Sequence, residues 1–186
     1  MDRKFVTAIL FLVILSVLPE CKSTTKEGKN LLTIQITSPA FSEGGTIPKI
    51  YTCDADNVSP ILSWSGIPKE TKSIALIVDD PDAPVGTFVH WVIYDIPPTR
   101  LDLPQGIDKT GTVTDIGTQG NNDFRKLGYG GPCPPKGPAH RYFFKLYALD
   151  TILNLKPGAT KAEVERTMRG HILSQGQLIG KYSRSG

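Results

Sequence analysis

Two apolar runs meeting at an acidic, proline-stiffened corner constrain this chain more than any other feature. Ile74 to Val78 leads into Asp79, Asp80 and Asp82, interrupted by Pro81 and Pro84, and Phe88 to Ile96 leads away carrying His90 and Trp91. Runs of this length bounded by turn residues read as neighbouring strands. Ser73–Val78 is apolar on both faces, the pattern of a central strand. The corner then holds carboxylates and an imidazole at one edge of a sheet.

The remaining elements follow from period and punctuation. Leu31 to Thr37 alternates apolar and polar residues and predicts an opening strand. Ser59 to Trp64 predicts a short strand with Trp64 in the core. Arg141 to Asp150, rich in aromatic residues and preceded by His140, is the strongest strand candidate. Gln177 to Tyr182 predicts a final strand. One helix is expected from Lys161 to Leu173, with Thr160 and Glu163 as a capping box and Val164, Met168 and Ile172 on one face. Leu101 to Lys126 carries only weak signals, edge strands or plain loop. Fifteen prolines and eighteen glycines in 186 residues favour short strands and turns, and the length suits one domain.

The amino terminus has the layout of a secretory signal. Arg3 and Lys4 precede a mostly apolar run, Phe5 to Leu18, of 14 residues, against the ~20 that span a bilayer. The expected organisation is a signal over 1–20, a polar tether over 21–30 and a domain over 31–186. Export places the protein in the periplasm, the cell envelope or the medium. Membrane association is expected only through the signal or through lipid on Cys21, although Leu18-Pro19-Glu20 lacks the small residues of a lipidation site. In an oxidising compartment Cys53 and Cys133 form an even pair. A disulfide between them would close a loop of roughly 80 residues and contribute about 4 kcal/mol; the alternative is two buried thiols.

Several chemistries compete for the polar anchors. Asp80, Asp82, His90 and His140 include metal-ligating types, but the intervening proline constrains the aspartates and no His-x-His or His-x-x-x-His pair exists. Asp54 to Asn57 lacks the ligand spacing of a calcium loop. Cys133 near His140 is a weak nucleophile candidate among prolines and glycines, with no G-x-S-x-G elbow in the chain. The net charge of +3 is not clustered, so no nucleic-acid footprint is present. Anion recognition suits the set best, with histidine and glycine N–H donors from the Tyr129–Pro135 loop. The aspartates would then hold a histidine tautomer or meet an ammonium. Capping of the corner by Asp80 and Asp82 is the plain alternative, and Asp79 is assigned to turn or surface.

Five segments, SPILSW at 59–64, DDPDAP at 79–84, FVHWVIYDIP at 88–97, GYGGPCPP at 128–135 and HRYFFKLYALD at 140–150, resemble the phosphatidylethanolamine-binding proteins, also called Raf kinase inhibitor-like proteins. The cysteines of YTCD and GPCPP resemble the bacterial and archaeal branch. The resemblance implies a mainly β fold, a large antiparallel sheet packed with a smaller one and few peripheral helices. It implies a small anion pocket with ligand contacts at Asp80, Asp82, His90, Gly131, Pro132, His140 and Tyr142. Animal members add a carboxy-terminal helix that supplies a further tyrosine; Tyr182 is not its equivalent, and a more open rim is expected.

The expected function is non-enzymatic binding of a phosphate-bearing or similar small anion, with no cofactor. The alternative is a protein-interaction role, such as inhibition of a peptidase or modulation of a partner. A homodimer stays open beside the monomer.

Overall fold

The run Ser73–Asp80 is buried at every position, so both of its faces require cover, and the fold supplies it from two sides. The structure, a computed structural model, describes residues 34–184. The signal, the tether, Cys21 and Leu31 to Thr33 lie outside the described residues. In chain order the strands are β1 (Gln35–Thr37), β2 (Leu62–Ser65), β3 (Ser73–Asp80), β4 (Phe88–Ile96), β5 (Asp102–Leu103), β6 (Thr112–Val113), β7 (Gly117–Gln119), β8 (His140–Leu149) and β9 (Ile172–Tyr182). The helix α1 (Lys161–Met168) lies between the last two. No described helix is long and apolar enough to cross a membrane.

A six-stranded sheet runs β6-β7-β4-β3-β8-β9 and a three-stranded sheet runs β1-β2-β5. Every strand pairing in both is antiparallel. The mainly β, two-sheet expectation therefore holds, and the weak stretch from Leu101 to Lys126 contributes three short strands.

Strand parity divides the core. Ile74, Leu76 and Val78 of β3 pack with Ile36, Leu62 and Trp64 of the small sheet. Ala75 and Ile77 face the other way, against Val164 and Met168 of α1. Successive strand residues alternate faces, so one strand serves both clusters.

The helix opens as expected: Thr160 Oγ1 accepts from Glu163 N–H while the Glu163 carboxylate accepts from Thr160 N–H. It stops at Met168, not Leu173. Gly170 follows with φ +85°, a left-handed conformation that turns the chain out of the helix. Ile172 therefore starts β9, yet it still packs against the Val164–Met168 cluster.

Candidate functional site: a cavity floored by Asp80 and His140

Asp80 ends β3 on the inter-sheet face, and its carboxylate is almost fully engaged. Oδ1 accepts the Asp82 N–H at 2.8 Å and Oδ2 meets His140 Nδ1 at 2.7 Å. His140 opens β8, the neighbour of β3, which explains how residues 60 apart in sequence meet. A carboxylate can only accept here, so Nδ1 carries the proton and Nε2 is left for a ligand.

His90 reaches the same place through a register irregularity. Val78 pairs with Trp91 and Asp79 with Val89, so β4 carries an extra residue at this point. The bulge breaks the alternation: Trp91 joins the inter-sheet core while the His90 ring packs edge-on to Tyr142 of that same cluster, 5.1 Å away. His90 and Gly130 are tied twice. His90 Nδ1 donates to Gly130 O at 2.6 Å, and Gly130 N–H donates to His90 O at 2.8 Å. Burial holds the His90 pKa below its ordinary value, opposed by the Gly130 carbonyl and the Asp80 charge.

Between these residues lies a cavity of about 210 Å³. Asp80, His90 and His140 supply its polar wall. Ala83, Pro84, Val85, Phe88, Phe124 and Cys133 to Pro135 supply the rest. Phe88 and Phe124 stack edge-on at 4.8 Å, and both contact the His90 ring. Tyr142 stands behind His90. Its buried hydroxyl makes no well-formed hydrogen bond, and burial, with the nearby Asp80 charge, pushes its pKa up.

Besides Tyr142, three expected residues do not line the cavity. Asp82 does not line the cavity; it grips Arg141 with both oxygens, at 2.9 and 2.7 Å, and also accepts the Arg141 N–H at 3.0 Å. That guanidinium lowers the Asp82 pKa to about 2. Gly131 and Pro132 lie one step behind the wall. Gly131 N–H donates to Asn57 Oδ1 at 2.7 Å, and Pro132 O accepts from Cys53 N–H at 3.1 Å. A Cβ on Gly131 would stand 2.2 Å from Tyr51 O, so glycine is needed there for close packing. The expected glycine donors are thus spent inside the protein, and the wall itself is Cys133 to Pro135.

Asp79 also differs from expectation. It is fully buried on the opposite face, held by Lys145 Nζ at 2.8 Å and Lys161 Nζ at 2.5 Å. Tyr182, as expected, stays out of the site: its hydroxyl donates to Asp54.

Cys53 and Cys133 are disulfide-bonded, with Cα atoms 5.4 Å apart. The bond fastens the wall to the Tyr51–Asn57 segment, helped by Tyr129 OH donating to Tyr51 O at 2.7 Å. In the sequence Asn57 stands out only as the end of the Asp54–Asn57 segment that lacks calcium-loop spacing. Its left-handed φ of 56° marks it as a turn residue, a conformation asparagine tolerates. Phe88 and Phe124 had no sequence signal beyond being aromatic.

Among the described residues no group of three or more His, Cys, Asp or Glu side chains is arranged to hold a metal ion. The cavity offers two imidazole Nε2 atoms beside one engaged carboxylate, which fits a compact polar head with an apolar neighbour.

Comparison with known proteins agrees with this architecture. The family described as phosphatidylethanolamine-binding protein matches residues 37–183. A UPF0098 protein of Methanothermobacter thermautotrophicus is 52% identical over 151 residues, covering 81% of this chain and 99% of that protein. The crystal structure of CT736, a putative phosphatidylethanolamine-binding protein homologue from Chlamydia trachomatis, superposes with a TM-score of 0.75 at 40% identity, covering 82% and 99% of the two chains. E. coli YbcL, described as a new member of the mammalian PEBP family, gives 0.77 at 34% identity with the same coverage. Sequence, topology and fold neighbours converge: the chain belongs to the phosphatidylethanolamine-binding protein family.

Proposed function

We propose that this is an exported, non-enzymatic binding protein whose cavity takes a phosphate-bearing or similar small anion. The observation that carries the reading is the pair of oriented imidazoles, His140 fixed by Asp80 and His90 fixed by Gly130, at the base of a cavity sized for one head group. His90 and His140 contact the ligand, Asp80 orients, and Tyr142 backs His90. Against thiol catalysis, Cys133, the cysteine that lines the cavity, is consumed in a disulfide. The disulfide also supports export to an oxidising compartment.

Phenyl phosphate at a hundredfold excess over its Kd is expected to stabilise the protein by about 2.7 kcal/mol. Scanning calorimetry should show the melting temperature rising, and His140→Ala or Asp80→Asn should abolish the rise. Unchanged melting across a panel of phosphate and carboxylate ligands would sink the anion reading.

One observation favours the alternative of a protein partner. Val85 is 85% exposed at the cavity rim, beside Pro84, Pro135 and Phe124, and an exposed apolar collar suits a partner side chain inserted into the cavity. If the protein inhibits a peptidase, Val85→Asp should weaken inhibition at least tenfold without lowering the melting temperature. Equal inhibition by the variant, or none by the wild type across peptidase classes, would remove this reading.

A further inference from the structure

The edge strand β9 is covered on both sides of a single gap. Its residues alternate between facing β8 and facing outward, and Gln175, Ile179 and Lys181 each have an outward partner. Ile34 N–H donates to Gln175 O at 3.0 Å, Gly44 N–H to Ile179 O at 2.7 Å and Ile47 N–H to Lys181 O at 2.8 Å. The Glu43 carboxylate stands in for a strand, accepting Ile179 N–H at 2.9 Å. Gln177 has the same outward parity, yet neither its N–H nor its C=O has a partner among the described residues.

The neighbouring strand β1 repeats the gap. Trp64 N–H donates to Leu101 O on the β5 side of β2, so Ser63 and Ser65 face β1. Ile36, opposite Trp64, therefore turns its N–H and C=O away from β2. β1 meets β9 through Ile34, and beyond that contact a groove of about 580 Å³ opens, lined by Ile36 and Gln177 together. Ile36, Phe41 and Leu178 give it an apolar floor, and Glu43 is its one charged residue. The groove shares no residue with the cavity at His140.

We propose that this groove binds an extended segment of a partner protein through main-chain hydrogen bonds. Consecutive residues of a strand turn their N–H and C=O to opposite sides. One residue of the bound segment completes Gln177 and the next completes Ile36, so two residues bridge the two sheets. An open strand edge is a template for pairing, and this chain blocks its own edge on either side of Gln177. Side chains add the selection: an apolar one meets Phe41 and Leu178, and a basic one is drawn to Glu43. An acidic segment is disfavoured, because no Lys, Arg or His lines the groove.

Fluorescence anisotropy of the full chain with a labelled, end-capped pentapeptide tests the proposal, the probe alternating threonine and valine around a central lysine. Wild type and Gln177→Ala should bind it alike, because the donor is backbone. Gln177→Pro lacks that N–H and should bind about tenfold more weakly, the worth of one lost main-chain hydrogen bond. The β8 ladder does not use this N–H, so proline leaves the sheet paired, and an unchanged melting temperature verifies it. The same peptide N-methylated at its three central residues should lose its binding to wild type, a result that needs no variant. Equal binding of the methylated peptide or of a folded Gln177→Pro, or no binding of the parent peptide at millimolar concentration, overturns the proposal. Amide exchange gives a second reading: without peptide, the Ile36 and Gln177 N–H groups should exchange faster than that of Ile179. Protection of Gln177 in the peptide-free protein overturns the proposal as well, whether a second copy of the chain or the segment before Ile34 supplies it.

Discussion

The double variant Cys53→Ser with Cys133→Ser is expected to unfold about 10 °C below the wild type. The bond closes a loop of 80 residues in sequence separation. In the chain-entropy account such a closure removes about 4 kcal/mol of freedom from the unfolded chain. For a chain of 186 residues, each kcal/mol shifts the melting temperature by about 2–4 °C. The folded state should survive, because three hydrogen bonds still tie the same segments: Cys53 N–H to Pro132 O, Gly131 N–H to Asn57 Oδ1, and Tyr129 OH to Tyr51 O. The loss therefore falls mainly on the unfolded side of the equilibrium. Calorimetry of wild type with and without reductant, beside the variant, checks this. Reduced wild type and variant should melt together. A shift below about 3 °C would mean that the unfolded chain gains little freedom without the bond.

The parts of this structure legible in the sequence are those governed by short-range pattern. The runs that became β3, β4 and β8 are long, apolar and rich in β-branched or aromatic residues, so their identity follows from local composition. The Thr160–Glu163 capping box is likewise a local signal. Asp80, His90 and His140 stand at the ends of these strands and were placed with them. What escaped depends on which side of a backbone faces which neighbour. The Gly130–Gly131 donors looked available because nothing in the sequence says that Asn57 and His90 O consume them. The step from Gly131 to Cys133 as cavity wall is a difference of two residues in an irregular loop, where no period sets the facing. Asp82 and Arg141 meet across 59 positions. The bulge that brings His90 and Trp91 to one face is a property of the β3–β4 register, which no single strand encodes.

Asp79 is the instructive case, because it is adjacent to Asp80 in sequence and opposite to it in role. Alternation along β3 sends Asp80 into the cavity and Asp79 toward α1. There it is 0% exposed between Lys145 and Lys161. Asp79→Asn is expected to cost about 3 kcal/mol, because two ammonium groups lose the charge that compensates them. The cost stays at the low end for a broken buried pair, since the lysine side chains are 30% and 21% exposed and can turn toward water. The ion cluster is not itself a source of stability relative to good apolar packing. Replacing the set together, Asp79→Leu with Lys145→Met and Lys161→Met, should therefore recover most of the loss. Denaturant unfolding of the two variants checks both statements, and an Asp79→Asn loss under 1 kcal/mol would contradict the first. Ligand binding supplies the separating measurement. Asp79→Asn leaves the cavity on the other face intact, so phenyl phosphate should still raise its melting temperature. Asp80→Asn should leave the lysine cluster intact and lose the ligand response. If both variants lost it, the two faces of β3 would be coupled through the bulge at Val78 and Asp79, and strand parity alone would not separate the structural carboxylate from the one that orients His140.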